Sequence, residues 1–370
     1  MRYYIIAGEA SGDLHGSNLI KEIYKNDPAA SIRCWGGDKM QAAGATLVKH
    51  YRELAFMGFT EVLKNLGTIF KNLAFCKEDI KTFQPDTLIL IDYPGFNLRI
   101  AKWAKAEHFK IIYYISPQVW AWKENRVKMM KQCIDKMLVI LPFEKDYYQT
   151  KWNWTVDYVG HPLVEVVEDY QDAHPSNTTH TPTIALLPGS RKQEILKKLP
   201  IMLEQAKHFP EFQFVVAQAP GQEASFYEPM LKPYSNVSAV ANQTYSLLMR
   251  STAALVTSGT ATLETALFGV PEVICYKGNA LSYQLAKRLI KIKFIGLVNL
   301  IMDKEVVKEL IQDELNEKNL THELKQLLSN PEKQKQISED YSKLKSLLSQ
   351  GGHASANAAK IIHEFLTAGK

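Results

Sequence analysis

Short apolar runs alternate with amphipathic stretches along most of the chain. The runs show no regular polar alternation, which is typical of strands that are buried on both faces of a parallel sheet. Repeated strand–helix units of this kind predict α/β sheets that bind ligands at the carboxyl ends of their strands. The predicted strands are Tyr3–Ala7, Thr87–Ile91, Lys110–Ile115, Met137–Leu141, Thr183–Leu187, Gln213–Ala217 and Ala253–Thr257.

A polar segment near the middle of the chain predicts two domains. Residues 168–182 contain prolines and lack periodicity, as a linker should. With 370 residues the chain also exceeds the usual size of a single core. We therefore expect two Rossmann-like, doubly wound α/β domains, 1–167 and 183–349, facing each other across a cleft. A helix within 350–370 fits against either domain.

Composition limits the classes of function. A net charge of +5 is too small to indicate a nucleic-acid partner. No apolar run approaches the ~18 residues of a membrane-spanning helix, and the N-terminus lacks the apolar length of a signal peptide. The widely spaced cysteines indicate reduced thiols in a cytoplasmic protein. No ligand motif for a metal is present, so neither a metal nor a cofactor is expected.

Two strand–glycine junctions in the second half predict a phosphate site. Each one directs backbone N–H groups and a helix N-terminus at one point, which is how proteins hold phosphate. Arg191 adds a fixed positive charge, and Glu264 is placed to accept hydrogen bonds from a ribose. The predicted contacts of a nucleoside diphosphate are Gly189, Ser190, Arg191, Ser258, Gly259, Thr260, Ala261 and Glu264, with Asn299 as a weaker candidate.

Three loops in the first half are candidates for substrate binding. Glycines after Tyr3–Ala7 would let a substrate approach the backbone, although Ser11 or Asp13 could equally cap a helix. Asp92, at the end of Thr87–Ile91, is placed to act as a general base or as a helix cap. The tryptophans of Ser116–Trp122 could line a sugar or acyl pocket or pack in the core.

Residues Leu54–Phe75 carry an apolar stripe at helical spacing, with Lys64 and Lys71 outside it. The stripe fits a core-facing helix, which the pattern alone favours, and also fits a helix lying on a bilayer surface. The basic, apolar stretch Lys287–Phe294 allows the same two interpretations.

Six motifs, in order, resemble those of the lipid-A-disaccharide synthases, a family of inverting glycosyltransferases with the GT-B fold. They are Gly8–Asp13, Ile91–Asn97, Ser116–Trp122, Gly160–Pro162, Leu187–Arg191 and Ser258–Glu264. The resemblance implies that 2,3-diacylglucosamine passes from UDP to the 6-hydroxyl of 2,3-diacylglucosamine 1-phosphate, which gives a β(1→6) disaccharide and UDP. The first domain would bind the lipid acceptor and the second the UDP-sugar.

The resemblance also assigns roles to residues. Asp92 would be the base, and Arg191 would stabilise the leaving UDP without a metal ion. The implied substrate contacts are Glu9, Ser11, Gly12, Asp13, Asn97 and Trp120. Two positions depart from the family pattern, because Gly95 stands where an acidic residue is common and Tyr93 where alanine is common. Asp92 is therefore the only carboxylate of its motif.

Diacylated substrates change the interpretation of the apolar stripe. Each buried CH₂ group contributes about 0.8 kcal/mol to membrane retention, so the enzyme must reach its substrates in the bilayer. We therefore favour an interfacial role for Leu54–Phe75 and a peripheral position on the cytoplasmic face of the inner membrane. The sequence leaves open whether the protein forms a homodimer. The alternatives are an enzyme like UDP-N-acetylglucosamine 2-epimerase and a non-catalytic protein that binds nucleotide sugars or lipids.

Overall fold

The computed structural model describes residues 1–54, 66–175, 181–279, 283, 292–350 and 352–368. The chain forms two compact units, one of Met1–Pro162 with Leu348–Lys370 and one of Leu163–Leu347. Each unit contains a parallel β-sheet with helices packed on it, so the predicted α/β class with two parallel-sheet domains is confirmed.

The sheet of the first unit has the strand order β3-β2-β1-β4-β5-β6-β7. Its direction of winding reverses between β1 and β4, which pair in parallel with Ala7 opposite Ile91. The carboxyl ends of these two central strands therefore lie side by side. The strands are β1 Arg2–Ala7, β2 Ser31–Gly36, β3 Thr46–His50, β4 Thr87–Ile91, β5 Ile111–Tyr114, β6 Lys136–Val139 and β7 Asp157–Tyr158.

The sheet of the second unit has the order β10-β9-β8-β11-β12-β13 and reverses between β8 and β11. These two strands pair in parallel with Leu187 opposite Val256, which again places two carboxyl ends side by side. The strands are β8 Thr183–Leu187, β9 Gln213–Gln218, β10 Val237–Ala241, β11 Ser251–Thr257, β12 Glu272–Tyr276 and β13 Glu309–Ile311.

Helices connect the strands, and several begin at a proline, whose fixed φ angle suits the first helical turn. In the first unit they are Ala10–Asn26, Asp38–Ala42, Leu66–Phe83, Pro94–Ala106, Arg126–Cys133 and Pro142–Trp152. From Pro162 onward they are Pro162–Ala173, Lys192–Leu203, Gln205–His208, Ala224–Leu231, Thr244–Met249, Thr260–Leu267, Leu297–Met302, Glu317–Ser329, Pro331–Leu348 and Ala354–Thr367.

The structure defines the conformation of part of the predicted linker and the packing of the C-terminal helix. The helix Pro162–Ala173 runs into residues 168–182, so the first part of the predicted linker is helical. The C-terminal helix Ala354–Thr367 packs on Ala10–Asn26 and belongs to the core of the first unit. The contribution of residues 350–370 to the first unit was not readable from the sequence pattern.

All seven predicted strands are present, with β6 shifted to Lys136–Val139. Among the described strands, the apolar pattern missed the inner strands β2 and β12 and also β3, β7, β10 and β13, which are the edges of the two sheets. Edge strands are covered less completely than central ones, so their sequences carry less apolar signal. β2 was missed because it contains Arg33, whose guanidinium binds Asp79 at 2.6 Å.

Candidate functional site

In the first unit the motifs after β1 and β4 meet at the point where the strand order reverses. Open α/β sheets bind their ligands at this position, because the loops on either side diverge there and leave a crevice. Asp92 directly follows β4 and is half-buried, and Glu9 directly follows the turn after β1 and is exposed. Two carboxylates therefore share this end of the sheet.

The environment of Asp92 raises the pKa of its carboxyl group to about 6. Burial is the largest cause and the negative charge of Glu9 is the second, while a backbone hydrogen bond from Tyr93 opposes both. A carboxylate with a raised pKa accepts a proton more readily than one in water and is still ionised at neutral pH. These are the properties that a general base requires.

The backbone that presents Asp92 is strained. Asp92 and Tyr93 have φ angles of 42° and 49°, in the left-handed region that residues with a Cβ atom rarely adopt. Hydrogen bonds hold this conformation: the Asp92 N–H donates to Tyr114 O at 3.1 Å, and the Tyr113 hydroxyl donates to Asp92 O at 2.5 Å. The turn is therefore fixed by the neighbouring strand β5.

Asn97 supplies a third support for the same turn. Its side-chain amide donates to the carbonyl oxygens of Asp92, Ile91 and Ile6 at 2.8, 3.1 and 3.3 Å. The side chain is fully buried, so the structure gives Asn97 a role in positioning Asp92. Its predicted substrate contact stays a prediction.

Tyr93, which departs from the family pattern, packs against a glycine. Its ring lies where a side chain of Gly8 would be, with ring atoms 2.3 Å from an ideal Cβ at that position. The ring also stacks on Phe96 with centroids 5.7 Å apart. By contrast, Gly95 is exposed and a Cβ atom there would meet nothing within 4 Å. An acidic side chain at position 95 would therefore project into open space.

Asp13 also has a structural role, while its predicted substrate contact stays a prediction. Its carboxylate is buried and accepts hydrogen bonds from the backbone N–H groups of Gly37, Met40 and Lys39 at 2.8, 3.0 and 3.2 Å. It therefore caps the helix Asp38–Ala42, a role close to the alternative that the sequence left open.

The other residues of the first motif divide between packing and exposure. Gly12 is buried, and a Cβ atom there would lie 3.0 Å from the Cβ of Ala7, so Gly12 allows the helix to pack closely on β1. The predicted substrate contact of Gly12 stays a prediction. Glu9, Ala10 and Ser11 are exposed, and Glu9 and Ser11 are the polar side chains among them that a substrate can reach.

The tryptophan loop is fixed from beneath by a buried carboxyl group. Trp120 is half-buried, and its indole N–H donates to Glu144 Oε1 at 3.1 Å while its ring meets Phe143 edge to face. Burial raises the pKa of Glu144 to about 7, opposed mainly by hydrogen bonds from Leu141 and Trp120. The polar edge of Trp120 is therefore occupied by protein, and Trp122, which is 52% exposed, is the more accessible ring.

In the second unit the two glycine junctions follow the paired strands β8 and β11. Gly189 has a φ of +110° and Gly259 a φ of +150°, values that favour glycine. The helices Lys192–Leu203 and Thr260–Leu267 begin directly after these turns, so two helix N-termini lie at one edge of the sheet. Unpaired N–H groups in the first turns of such helices attract anions. The exposed residues at this edge are Ser190, Arg191, Gly259 and Thr260, and Ala261 is half-buried.

Arg191 is paired with a residue that sequence reasoning missed. Its guanidinium is 70% exposed and lies 3.6 Å from Glu194 Oε1. Lys198, also missed, is buried and donates a hydrogen bond to the hydroxyl of Thr257, the last residue of β11. Burial lowers the pKa of Lys198, and Glu194 opposes this effect. Lys198 lies seven residues beyond Arg191 on a lysine-rich helix, where its sequence gives no sign of burial.

The remaining predicted nucleotide contacts have protein partners. Glu264 is half-buried and accepts a hydrogen bond from the Tyr245 hydroxyl at 2.7 Å, and burial raises its pKa. The Ser258 hydroxyl donates to Ile295 O at 2.8 Å. Asn299 is fully buried, and its amide donates hydrogen bonds to Val307 O and Glu309 Oε1, which gives it a structural role, while its nucleotide contact stays a prediction.

Only part of the apolar stripe can be placed, because residues 55–65 and the side chain of Leu66 lie outside the described structure. On the helix Leu66–Phe83, Leu73 is buried in the core and Ile69 packs against it, while Phe70 is 63% exposed. The described part therefore has a core face and an exposed aromatic face. Most of Lys287–Phe294 also lies outside the described residues.

Within the described residues, no helix has the length and apolar character needed to cross a bilayer. In the same part of the chain, no group of three or more His, Cys, Asp or Glu side chains is placed to hold a metal ion.

The fold is similar to several solved structures of sugar-nucleotide enzymes. A UDP complex of S. aureus MnaA matches with a TM-score of 0.70 at 12% identity, covering 99% of this chain and 96% of that one. The glycosyltransferase of kitacinnamycin matches with a TM-score of 0.69 at 14% identity, covering 99% of both chains. UDP-GlcNAc 2-epimerase from Neisseria meningitidis, bound to UDP-GlcNAc, matches with 0.68 at 14% identity over both full chains. At these identities the likeness supports the fold alone.

The sequence itself is similar to several relatives over nearly its whole length. It is 40% identical to the lipid-A-disaccharide synthase of Geobacter metallireducens, covering 99% of this chain and 97% of the relative. It is also 40% identical to lipid-A-disaccharide synthase 1 of Legionella pneumophila, covering 94% and 93%. Residues 3–363 match the family Lipid-A-disaccharide synthetase. The chain therefore belongs to the lipid-A-disaccharide synthetase family and is a glycosyltransferase of lipid A biosynthesis.

Proposed function

We propose that the protein transfers 2,3-diacylglucosamine from UDP to the 6-hydroxyl of 2,3-diacylglucosamine 1-phosphate. The products are the β(1→6)-linked lipid A disaccharide 1-phosphate and UDP. The observation that carries this proposal is Asp92, a half-buried carboxylate with a pKa of about 6 at the switch point of its sheet, in a member of this family.

Inversion at the anomeric carbon proceeds by one in-line displacement. The 6-hydroxyl oxygen of the acceptor attacks the anomeric carbon as its proton passes to Asp92. The bond between that carbon and the phosphate oxygen breaks, and its electron pair remains on UDP. General-base catalysis of this kind is typically worth about 10²–10⁴ in rate. The raised pKa of Asp92 and its fixed backbone support this role.

The second unit would bind the UDP moiety. Backbone N–H groups at Gly189, Ser190, Gly259 and Thr260 would face the diphosphate, and the exposed Arg191 would neutralise the charge that develops on it. Preorganised donors of this kind are worth about 3 kcal/mol each in the transition state. Glu264, with the nearby Tyr245, would accept hydrogen bonds from the ribose. This account uses no divalent ion.

The acyl chains of both substrates favour action at a membrane surface. The exposed Phe70 on the helix Leu66–Phe83 would insert among lipid head groups, as aromatic side chains do in interfacial helices. The protein would then act as a peripheral enzyme on the cytoplasmic face of the inner membrane, where UDP-sugars are available.

The reaction is tested by supplying the substrates separately. The purified protein is incubated in detergent and a chelator with UDP-2,3-diacylglucosamine, with and without the acylated sugar phosphate. Release of UDP only when both substrates are present is the expected result. An epimerase would convert the sugar nucleotide alone, and a non-catalytic binding protein would retain UDP-sugar without releasing UDP. Loss of turnover in the chelator would contradict the metal-independent mechanism.

The membrane proposal is tested with charged substitutions at exposed apolar positions. Phe70→Glu should reduce sedimentation with vesicles of inner-membrane lipids while the unfolding temperature stays near that of the wild type. Leu196→Glu is the matched control, because Leu196 is also an exposed apolar side chain but lies in the second unit. Equal sedimentation of the Phe70→Glu variant and the wild type would remove this helix from the membrane contact.

A further inference from the structure

A buried lysine lies directly beneath the first glycine turn of the second unit. Lys198 is only 3% exposed, and its ammonium group lies 3.5 Å from an ideal Cβ position on Gly189. It donates a hydrogen bond to the Thr257 hydroxyl, so it links the middle of the helix Lys192–Leu203 to the end of strand β11. A charged group is costly to bury unless it is paired, so its position requires an explanation.

The carboxylate of Glu194 also lies next to Gly189. Glu194 Oε2 lies 2.9 Å from the ideal Cβ position on Gly189 and 3.9 Å from the ammonium of Lys198. The other oxygen of Glu194 lies 3.6 Å from the guanidinium of Arg191. Glu194 therefore stands beside the turn that is proposed to hold a diphosphate, between an exposed cation and a buried one.

This arrangement has an electrostatic consequence for an anionic ligand. The negative charge of Glu194 opposes a diphosphate at Gly189, and it also competes for Arg191. When Arg191 turns to the diphosphate, Glu194 loses that partner. The buried ammonium of Lys198 is the group of opposite charge that stays beside it.

We propose that Lys198 is a positioning residue that neutralises Glu194, so that Arg191 is released to bind the diphosphate of a sugar nucleotide. The inference rests on the proposed function of the second unit as the UDP site. Thr257 fixes the lysine from the neighbouring strand, and the ammonium is buried while the carboxylate of Glu194 is partly exposed, so the lysine is held in place beside the turn.

The experiment measures UDP affinity by calorimetry in five proteins: wild type, Lys198→Met, Glu194→Gln, the double variant and Lys197→Met. Lys197 is the matched control, because it is an exposed lysine adjacent on the same helix and its loss changes the net charge equally. Lys198→Met should weaken UDP binding about tenfold, within the range of coupled charge pairs, whereas Lys197→Met should leave the affinity within about twofold of the wild type.

Substitutions at Glu194 distinguish neutralisation from a general loss of structure. Glu194→Gln should tighten UDP binding about threefold, because it removes a negative charge beside the diphosphate. The double variant should recover the affinity of the wild type to within about twofold. A merely structural role for Lys198 would leave the double variant as weak as Lys198→Met, because removing a carboxylate does not refill the space of the lysine.

Each outcome decides between the proposals. Failure of the wild type to bind UDP overturns the proposed function, and the role of Lys198 with it. UDP binding by the wild type, with equal affinities for Lys198→Met and Lys197→Met, overturns only the inference. If Lys198→Met does not fold, Glu194→Gln decides alone, because weaker UDP binding by that variant means that Glu194 assists the site and needs no neutralising lysine.

Discussion

The two units use the same topological position for opposite electrostatic purposes. In the first unit, Glu9 and Asp92 bring two carboxylates to the switch point between β1 and β4. Burial and the negative charge of Glu9 both disfavour the ionised form of Asp92 and so raise its pKa. In the second unit, Arg191, Lys198 and two helix N-termini bring positive potential to the switch point between β8 and β11. Topology decides where a ligand binds, and the side chains decide which chemistry occurs there.

The backbone differs between the two positions as well. The second unit reaches positive φ with Gly189 and Gly259, which leaves the backbone open to a ligand. The first unit reaches it with Asp92 and Tyr93, which costs conformational energy but directs a side chain. A turn that binds phosphate through N–H groups needs no side chain, whereas a turn that presents a base does.

The largest expected effect is the loss of the base in the first unit. Asp92→Asn should lower turnover by about 10²–10⁴ because the amide cannot accept the acceptor proton, while UDP affinity stays unchanged. Steady-state kinetics and calorimetry measure the two quantities. Asp86→Asn, which changes an exposed carboxylate just before β4, is the control. Turnover of Asp92→Asn near that of the control would remove Asp92 from the mechanism.

Removal of the cation in the second unit should be slightly less severe. Arg191→Ala should lower turnover by about 10²-fold and also weaken UDP binding, since in the proposed function the guanidinium would contact the diphosphate before and during the reaction. Lys197→Ala removes an exposed cation from the same helix and should change neither quantity. Unchanged UDP affinity in Arg191→Ala would contradict the assignment of the two units to different substrates.

The role of Asn97 in positioning the strained turn at Asp92 can be separated from its contribution to the stability of the fold. Asn97→Ala should lower the free energy of unfolding by about 2 kcal/mol, because three carbonyl oxygens lose their donor, and should also lower turnover. Asn236 is a matched control, since its amide also donates to three carbonyl oxygens but in the second unit. Asn236→Ala should reduce stability without reducing turnover; equal turnover losses in both variants would refute the positioning role.

The acid limb of the pH profile of turnover should report the protonation of Asp92 in the first unit. With a pKa of about 6, Asp92 is half protonated near that pH, so turnover should fall below it. Glu9→Gln should move this limb to lower pH, because it removes a negative charge that raises the pKa of Asp92. The pKa of Asp92 is higher in the folded protein than its ordinary value of 3.8, so its protonation favours the folded state as the pH falls from 6. An unchanged limb in Glu9→Gln would exclude this coupling.

The smallest effect concerns the missing acid of the second motif. Gly95→Asp should raise the free energy of unfolding by about 0.3–1 kcal/mol, because an acid in the first turn of Pro94–Ala106 interacts favourably with the helix dipole and has open space. Chemical denaturation measures the change. Destabilisation would show that the glycine is required by the backbone.

The sequence by itself determined the parallel α/β class, the paired strands at the two switch points and the positions of Asp92, Arg191 and the glycine turns. These signals are local, because a buried strand needs a continuous apolar run and a glycine turn needs its glycine. Edge strands escaped because solvent on one side relaxes that requirement.

Tertiary structure alone decided the roles of the buried polar residues. Asp13 and Asn97 stand in motifs and Asn299 is a weaker candidate outside them, and their residue types are the same whether the side chain faces a ligand or a backbone. Asp13 binds N–H groups 24 or more residues away, and Lys198 binds a hydroxyl 59 residues away. Such partners are brought together only when strands pair and helices pack, so no local pattern of residues records them.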